Sequence, residues 1–398
     1  MGVKSFNVVA PTNRSINQDS GMDLTVISTY RCNSRCQMCH IWKNPTLPKD
    51  EVSIETLSKL PRGFDNLNVS GGEPTLRTDL AEIIDEVYPK ARVVEISSNG
   101  LRARRLEPII KKYPDIKVRF SLEGEEVTSN AIRGEKNGFQ LKMEGIRKLQ
   151  EAGGTDLGFA MVIQDENVDQ LAHMYEVTES MGLELATSTL HNAWQFYKND
   201  NYFYDRLEVA RKVEALISKM LESWSVKNWF RAYLNLGLIE KILGHERLIP
   251  CVAGTGFAFI DPWSDVWACN VRSDVQLGNL QEQTWNEIMS SGMAKESIGK
   301  VAECAQNCWM VTTARTAMRS TIIPQAPKLG PMAWVVYNKL KSLTGSGIAF
   351  DKYIDYSDVR QSPQVPRVSH LNTKEKPIIV TDRQGVDGHY PLKSFVNN

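Results

Sequence analysis

Residues 24–40, LTVISTYRCNSRCQMCH, run a β-rich stretch straight into three cysteines, Cys32, Cys36 and Cys39. The β-branched half predicts a strand over 24–29, which puts the cysteines in the loop at its C-terminal end. Five similar runs follow: NLNVS (66–70), VVEIS (93–97), IKVRFS (116–121), LGFAMVI (157–163) and LELATSTL (183–190). Turn signals such as Asn99-Gly100 and Gly153-Gly154 bound them. Between them, Asp79–Tyr88, Phe139–Glu151 and Val168–Met181 repeat apolar residues at helical spacing. This alternation predicts an α/β fold, a parallel sheet with right-handed crossovers. Six units make a partial (β/α)6 TIM-type barrel; the two further strands of a full barrel have no counterpart. Active sites of parallel barrels form at the C-terminal ends of the strands, so the cysteine loop lies on the functional face.

Working outward, residues 1–22 read as an N-terminal tail, 23–202 as the barrel and 203–250 as a helical linker. The linker carries YDRLEVARKVEALISKMLESW and FRAYLNLGLIEKILG. Residues 251–312 form a compact second unit in which FAFIDPWSDVWACN predicts a hairpin turning at Pro262–Asp265. Beyond 313 the chain reads as an irregular extension, with Pro324, Pro327, Pro331, Pro363, Pro366 and Pro377. Within it, MAWVVYNKLKSL (332–343) sets Met332, Val336, Leu340 and Leu343 on one helical face beside Lys339 and Lys341. That face is expected to pack on the protein itself, with a membrane surface as the alternative.

The 398 residues are 42% hydrophobic and balance 47 basic against 47 acidic side chains. A chain of this size buries a large core. Its charge balance leaves no footprint for nucleic acid or anionic lipid. No apolar run approaches the ~20 residues of a membrane span. MGVKSFNVVAPTNRSINQDS lacks the apolar segment of a secretory signal, so a cytoplasmic monomer is expected. Seven cysteines are too sparse for a disulfide scaffold. They split into Cys32, Cys36 and Cys39, then Cys251, Cys269, Cys304 and Cys308. Thiolates suit zinc, copper or iron–sulfur clusters. A zinc ion on the first three plus His40 is one alternative, although His40 directly adjoins Cys39.

The C-x3-C-x2-C loop after a first strand resembles the signature of the radical S-adenosylmethionine (SAM) superfamily. The resemblance implies a [4Fe–4S] cluster on Cys32, Cys36 and Cys39 whose open iron takes the amino and carboxylate groups of SAM. Reduction then yields a 5′-deoxyadenosyl radical that removes a hydrogen atom from substrate. Four later motifs carry the same resemblance. Gly71-Gly72-Glu73-Pro74 ends strand two and, by resemblance, holds the methionine amine. Ser98 and Asn99 end strand three. Ser121 and Glu123 end strand four and approach the ribose and methionine. Arg133 follows as a partner for the SAM carboxylate, a group that a guanidinium fork suits. Ile163 would pack on adenine or be an ordinary core residue. Met38 stands where the family usually has an aromatic residue, and Glu123 where aspartate is commoner.

Cys251-x17-Cys269, Gly278-Asn279-Leu280, Trp285 and Cys304-x3-Cys308 resemble the twitch domain, a shortened SPASM domain. The resemblance implies a second, fully ligated [4Fe–4S] cluster; zinc on the same four thiolates is the rival. His191 in TLHNAW is a candidate proton donor or acceptor, with a structural role as its alternative. The expected enzyme takes one electron from a flavodoxin- or ferredoxin-type donor. Its expected substrate is a small biosynthetic intermediate undergoing oxidation or rearrangement, because only about 22 residues precede strand one and leave no room for a leader-peptide domain. A maturase acting on a peptide or protein is the second reading, and a zinc-stapled binding protein the non-enzymatic one.

Overall fold

A computed structural model describes residues 21–320 and 330–360. All six expected strands are present: β1 (Asp23–Ile27), β2 (Phe64–Ser70), β3 (Ala91–Ser98), β4 (Lys117–Ser121), β5 (Asp156–Ile163) and β6 (Glu184–Thr189). The crossovers hold α1 (Ile54–Ser58), α2 (Leu80–Val87), α3 (Glu107–Lys112), α4 (Glu126–Arg133), α5 (Gly138–Glu151) and α6 (Leu171–Ser180). Helices α7 (Arg206–Glu222) and α8 (Val226–Leu243) form the expected helical pair. The hairpin follows as β7 (Phe257–Ile260) and β8 (Asp265–Trp267), then β9 (Gln276–Asn279), α9 (Trp285–Ser290) and α10 (Gly292–Ala302).

The sheet is open, in the order β6-β5-β4-β3-β2-β1-β7-β8-β9. Strands β1 to β6 are parallel, as their helical crossovers require. One finding lay outside the sequence patterns. Strand β7 pairs parallel with β1, Thr25 opposite Phe259, so residues 251–312 continue the barrel sheet instead of standing apart from it. Period-two alternation splits the sheet faces. Leu24, Val69, Ile96, Phe120 and Phe159 are buried in the hydrophobic core. The alternate residues form a polar row in register: Thr25, Asn68, Glu95 and Lys117.

The extension past 313 is not irregular where it is described. It contains α11 (Val311–Ser320) and α12 (Pro331–Leu343). Pro331 sits in the first turn of α12, where a missing N–H costs nothing, so this proline starts a helix instead of breaking one. The expected packing face of α12 is also reversed. Trp334, Val335, Asn338 and Lys339 are buried, whereas Met332, Val336, Leu340 and Leu343 are about half exposed. Two contacts hold this face: the Trp334 ring lies edge-on to Tyr233 and Tyr353 at 5.6 and 6.0 Å, burying a large apolar surface, and Lys339 Nζ donates to the carbonyls of Leu221, Glu222 and Ser223 at the end of α7. Residues 1–20 of the tail and 361–398 of the extension lie outside the described residues. No described helix is long and apolar enough to cross a membrane.

Candidate active site

The loop that carries Cys32, Cys36 and Cys39 is tied to the ends of several neighbouring elements. Asn33 and Ser34 are buried, and Asn99 at the end of β3 donates to both, at 2.7 Å to Asn33 Oδ1 and 3.0 Å to Ser34 Oγ. Ser34 Oγ donates to Glu135 Oε1 at 2.6 Å. Two backbone bonds, Arg35 N to Arg133 O at 2.8 Å and Gln37 N to Ile132 O at 2.9 Å, fasten the loop to the C-terminus of α4. The three thiols stay half-buried and close enough for their charges to interact. Burial pushes Cys39 up to about 12, so the metal-free thiols hold their protons and metal loading must release them.

Gly71 and Gly72 have a reason that local reading missed. A Cβ on Gly72 would stand 2.3 Å from Arg31 O, and one on Gly71 2.5 Å from Thr29 O. The two glycines let this loop lie backbone to backbone against the approach to Cys32, with Gly72 N donating to Thr29 O at 2.6 Å and Glu73 N to Arg31 O at 2.8 Å. Arg31 is itself held by Glu51, its Nε and Nη2 each 2.7 Å from a carboxylate oxygen. Glu73 is fully buried and receives Thr75 N, Thr75 Oγ1 and Ser98 Oγ on one oxygen and Asn99 N on the other. Burial raises its pKa, and those donors hold it partly back. Pro74 opens a short helical turn that is also buried. The Glu73 carboxylate therefore braces the ends of β2 and β3, which leaves Gly71 and Gly72 as the partly accessible backbone of this segment.

Glu123 and Arg133 meet each other. Arg133 Nη1 donates to Glu123 Oε1 at 2.9 Å and its Nε to Glu135 Oε1 at 3.2 Å. The other oxygen of Glu123 accepts Val162 N at 2.7 Å, bridging β4 to β5. Lys142 from α5 completes the set by donating to Glu135 Oε2. All four side chains are buried. Burial pushes Glu135 up, but Lys142 and Arg133 together overcome it and hold the carboxyl below its usual range. Buried charge of this kind persists only when paired. Glu135 and Lys142 were not among the residues expected from sequence; the charged run Arg133-Gly134-Glu135-Lys136 was the available signal.

Ser121 is half-exposed at the end of β4. Ile163 is fully buried in the core, and the alternation of β5 puts Val162 on the opposite, more accessible face. Met38 offers its carbonyl to Asn201 Nδ2 at 3.1 Å. His191 lies against Phe196 with ring centroids 5.0 Å apart, its Nδ1 3.3 Å from Thr189 O and its Nε2 buried without a partner among the described residues. Burial, reinforced by Lys241, pushes its pKa down to about 3, so the ring is neutral near pH 7.

The other four cysteines, spread over 58 positions of sequence, line one small cavity together with Arg247, Asn270, Arg272 and Met310. Helix α8 seats the segment that carries the last of them. Gly237 has no side chain to obstruct Trp309, whose ring would be 2.0 Å from a Cβ there, and Trp309 Nε1 donates to Leu234 O at 2.7 Å. That seat fixes the adjacent Cys308. Burial pushes Cys269 up to about 12 and Cys308 to about 11, while Lys241 and Arg247 hold Cys308 back. Soft donors beside cations fit an anionic thiolate-bound centre. Among the described residues, no three His, Cys, Asp or Glu side chains are gathered round a single-ion site.

Residues 26–177 match the Radical SAM superfamily. Among curated relatives, the mycofactocin maturase MftC of Mycolicibacterium smegmatis is 26% identical over 320 residues, 74% of this chain and 80% of that protein. The pre-heme d1 synthase of Dinoroseobacter shibae is 25% identical over 65% of this chain and 71% of its own. Among solved structures, anSMEcpe with bound AdoMet and Cp18Cys peptide aligns with a TM-score of 0.51 at 14% identity, covering 85% of this chain and 99% of that one. The last likeness is one of fold.

Proposed function

We propose, starting from a chain that carries a radical SAM domain and is an enzyme, that it abstracts a hydrogen atom from a substrate held on the polar inner face of the barrel sheet. The observation that carries this reading is the single buried network in which the cysteine loop, the Gly-Gly-Glu-Pro turn, Asn99 and Arg133 meet at the C-terminal ends of β1 to β4. Cys32, Cys36 and Cys39 would hold a [4Fe–4S] cluster, which together with SAM would supply a 5′-deoxyadenosyl radical. The chain's own residues do the rest. Asn33, Ser34, Asn99 and Glu135 hold the cysteine loop in one conformation. Backbone of Gly71 and Gly72, with the partly exposed Ser121 and Val162, forms the surface on which SAM lies, and the buried Ser98 holds Glu73 beneath it. Ion pairing spends Glu123 and Arg133 on keeping that surface rigid, which favours one reaction geometry over many.

The substrate reading rests on the row Thr25, Asn68, Glu95 and Lys117. Lys117 Nζ lies 2.8 Å from Glu95 Oε2, each side chain 13% exposed. Against burial, Lys117, then Arg315 and Arg119, hold Glu95 down to about 2, so the pair is ionised and stays polar toward whatever enters. Hydroxyl, amide and ion pair on one face support a small, polar substrate. Pre-heme d1 synthase, similar over 71% of its length, is named for a product that is not a peptide, which keeps this reading open without favouring it. Mycofactocin maturase supports the second reading, a peptide substrate, equally well. A second [4Fe–4S] cluster on Cys251, Cys269, Cys304 and Cys308 would accept or relay the electron of a net oxidation, since four thiolates leave no iron open.

The test is anaerobic reconstitution followed by dithionite and SAM. 5′-Deoxyadenosine must form, and must fail to form in Cys36→Ala. Deuterated small polar metabolites and deuterated peptides then compete to deliver deuterium into it. A wild-type protein that makes no 5′-deoxyadenosine ends the reading, and deuterium only from peptides replaces the small-molecule form with the second.

A further inference from the structure

Two cations near the cysteine loop stand apart from the ion-pair networks that occupy its other basic neighbours. Arg31, Arg77, Arg133 and Lys142 are each paired with a carboxylate. Arg35 and Lys43 have no carboxylate within 4.0 Å among the described residues. They flank Trp42 instead, with the Arg35 guanidinium 4.7 Å and Lys43 Nζ 5.1 Å from its ring. Lys43 Nζ is also 3.3 Å from His40 Nε2. Arg35, His40, Trp42 and Lys43 are all half-exposed, and Gln37 between them is exposed. The indole is not merely nearby: Trp42 Nε1 donates to Cys36 O at 3.4 Å. A cationic, aromatic surface therefore sits one hydrogen bond from a cysteine that the reading above makes a cluster ligand. The chain as a whole is neutral, so this local charge is not the overflow of a basic protein.

We infer that Arg35, Trp42 and Lys43 form the docking face for the electron carrier, a small acidic redox protein with carboxylates around its redox centre. The inference rests on the radical SAM reading, because it presumes a centre on Cys32, Cys36 and Cys39 to be reduced. One electron passes from the carrier, which is oxidised by one, to that centre, which is reduced by one; no bond on the chain is made or broken. Partly exposed cations with no carboxylate partner steer an acidic partner through long-range attraction and govern its association rate more than its final affinity. An indole flanked by two cations adds a flat apolar contact that excludes water at the centre of the patch. Pairing these cations inside the protein, as with Arg31 and Arg133, would have neutralised the attraction.

The experiment follows reduction of the reconstituted enzyme by a reduced, acidic flavodoxin in a stopped-flow spectrometer, at about 20 mM and about 300 mM salt, for wild type, Lys43→Glu and Lys295→Glu. Lys295 is an exposed lysine on α10 and controls for net charge. Reversing one steering charge should slow the second-order rate in Lys43→Glu by about tenfold at low salt, and the deficit should shrink at high salt as screening sets in. Lys295→Glu should match wild type. Dithionite, which needs no docking, should give equal 5′-deoxyadenosine from all three. Equal flavodoxin rates for Lys43→Glu and wild type overturn the inference, including by entry of the electron at the other cysteine group. Equal slowing in Lys295→Glu overturns it as a net-charge effect. Failure of wild type with dithionite is a different result: it removes the radical reading, and the docking face falls with it.

Discussion

Gly72→Ala tests the claim that the cysteine loop is positioned by backbone packing. The added Cβ would lie 2.3 Å from Arg31 O, 2.8 Å from Arg31 C and 2.9 Å from Tyr30 C. All three are backbone atoms, so no side chain can rotate away, and relief requires the two loops to separate. Overpacking of this kind costs about 1–3 kcal/mol. Separation also stretches the bonds from Gly72 N to Thr29 O and Glu73 N to Arg31 O, 2.6 and 2.8 Å long, worth about 1 kcal/mol each. The expected loss is about 3–5 kcal/mol, and Cys32, which directly follows Arg31, moves with the loop. Urea unfolding of the metal-free protein measures the stability change, and iron content after anaerobic reconstitution measures the displacement. Gly299→Ala is the control: it lies inside α10 with nothing within 4 Å of its Cβ, and should stabilise by about 0.5–1 kcal/mol. If Gly72→Ala matches wild type in both midpoint and iron content, the loops are not held together as described.

Glu135→Gln leaves Lys142 buried without its counter-charge and should cost about 3–5 kcal/mol, while Glu135→Gln with Lys142→Met should recover part of it; no recovery would mean the pair is not coupled. Cys269→Ala should lower iron from about eight to about four per chain and spare the cluster on the first three cysteines, as read by electron paramagnetic resonance; loss of both signals would contradict separate sites. Gly237→Ala should drive Trp309 from its seat on α8 and deplete the same second signal, with Trp fluorescence reporting the displaced indole. The pKa of His191 is depressed, from about 6.5 unfolded to about 3 folded, so the folded state refuses a proton that the unfolded state accepts. Its stabilising contribution is complete above about pH 6.5 and fades as pH falls toward 3. His191→Gln should therefore flatten the acid side of the stability profile, and the wild-type ring should show no NMR titration between pH 5 and 8.

What the sequence determined by itself is local and periodic. Strands β1 to β6, the α7–α8 pair and the 257–267 hairpin follow from alternation, helical spacing and turn residues within a few positions of each other. The C-x3-C-x2-C loop falls at the end of β1 for the same reason. Tertiary structure decided whatever depended on distant partners. Nothing in FAFI predicts that it pairs with DLTV more than 230 residues earlier. Cysteines 251, 269, 304 and 308 share a cavity, and Cys308 reaches it beside a contact between α8 and a segment some 70 residues on, where Gly237 admits Trp309. Glu73, Glu123 and Arg133 have side chains suited to a ligand, and in isolation each reads as a ligand contact. In the folded chain Glu123 and Arg133 pair with each other, and Glu73 receives donors from Thr75, Ser98 and Asn99, because a buried polar group must find its partner within reach and the nearest partners are protein. The face of α12 went the same way: its apolar periodicity offered one side to the core, and the seat of Trp334 between Tyr233 and Tyr353, with the three carbonyls at the end of α7 that capture Lys339, chose the other.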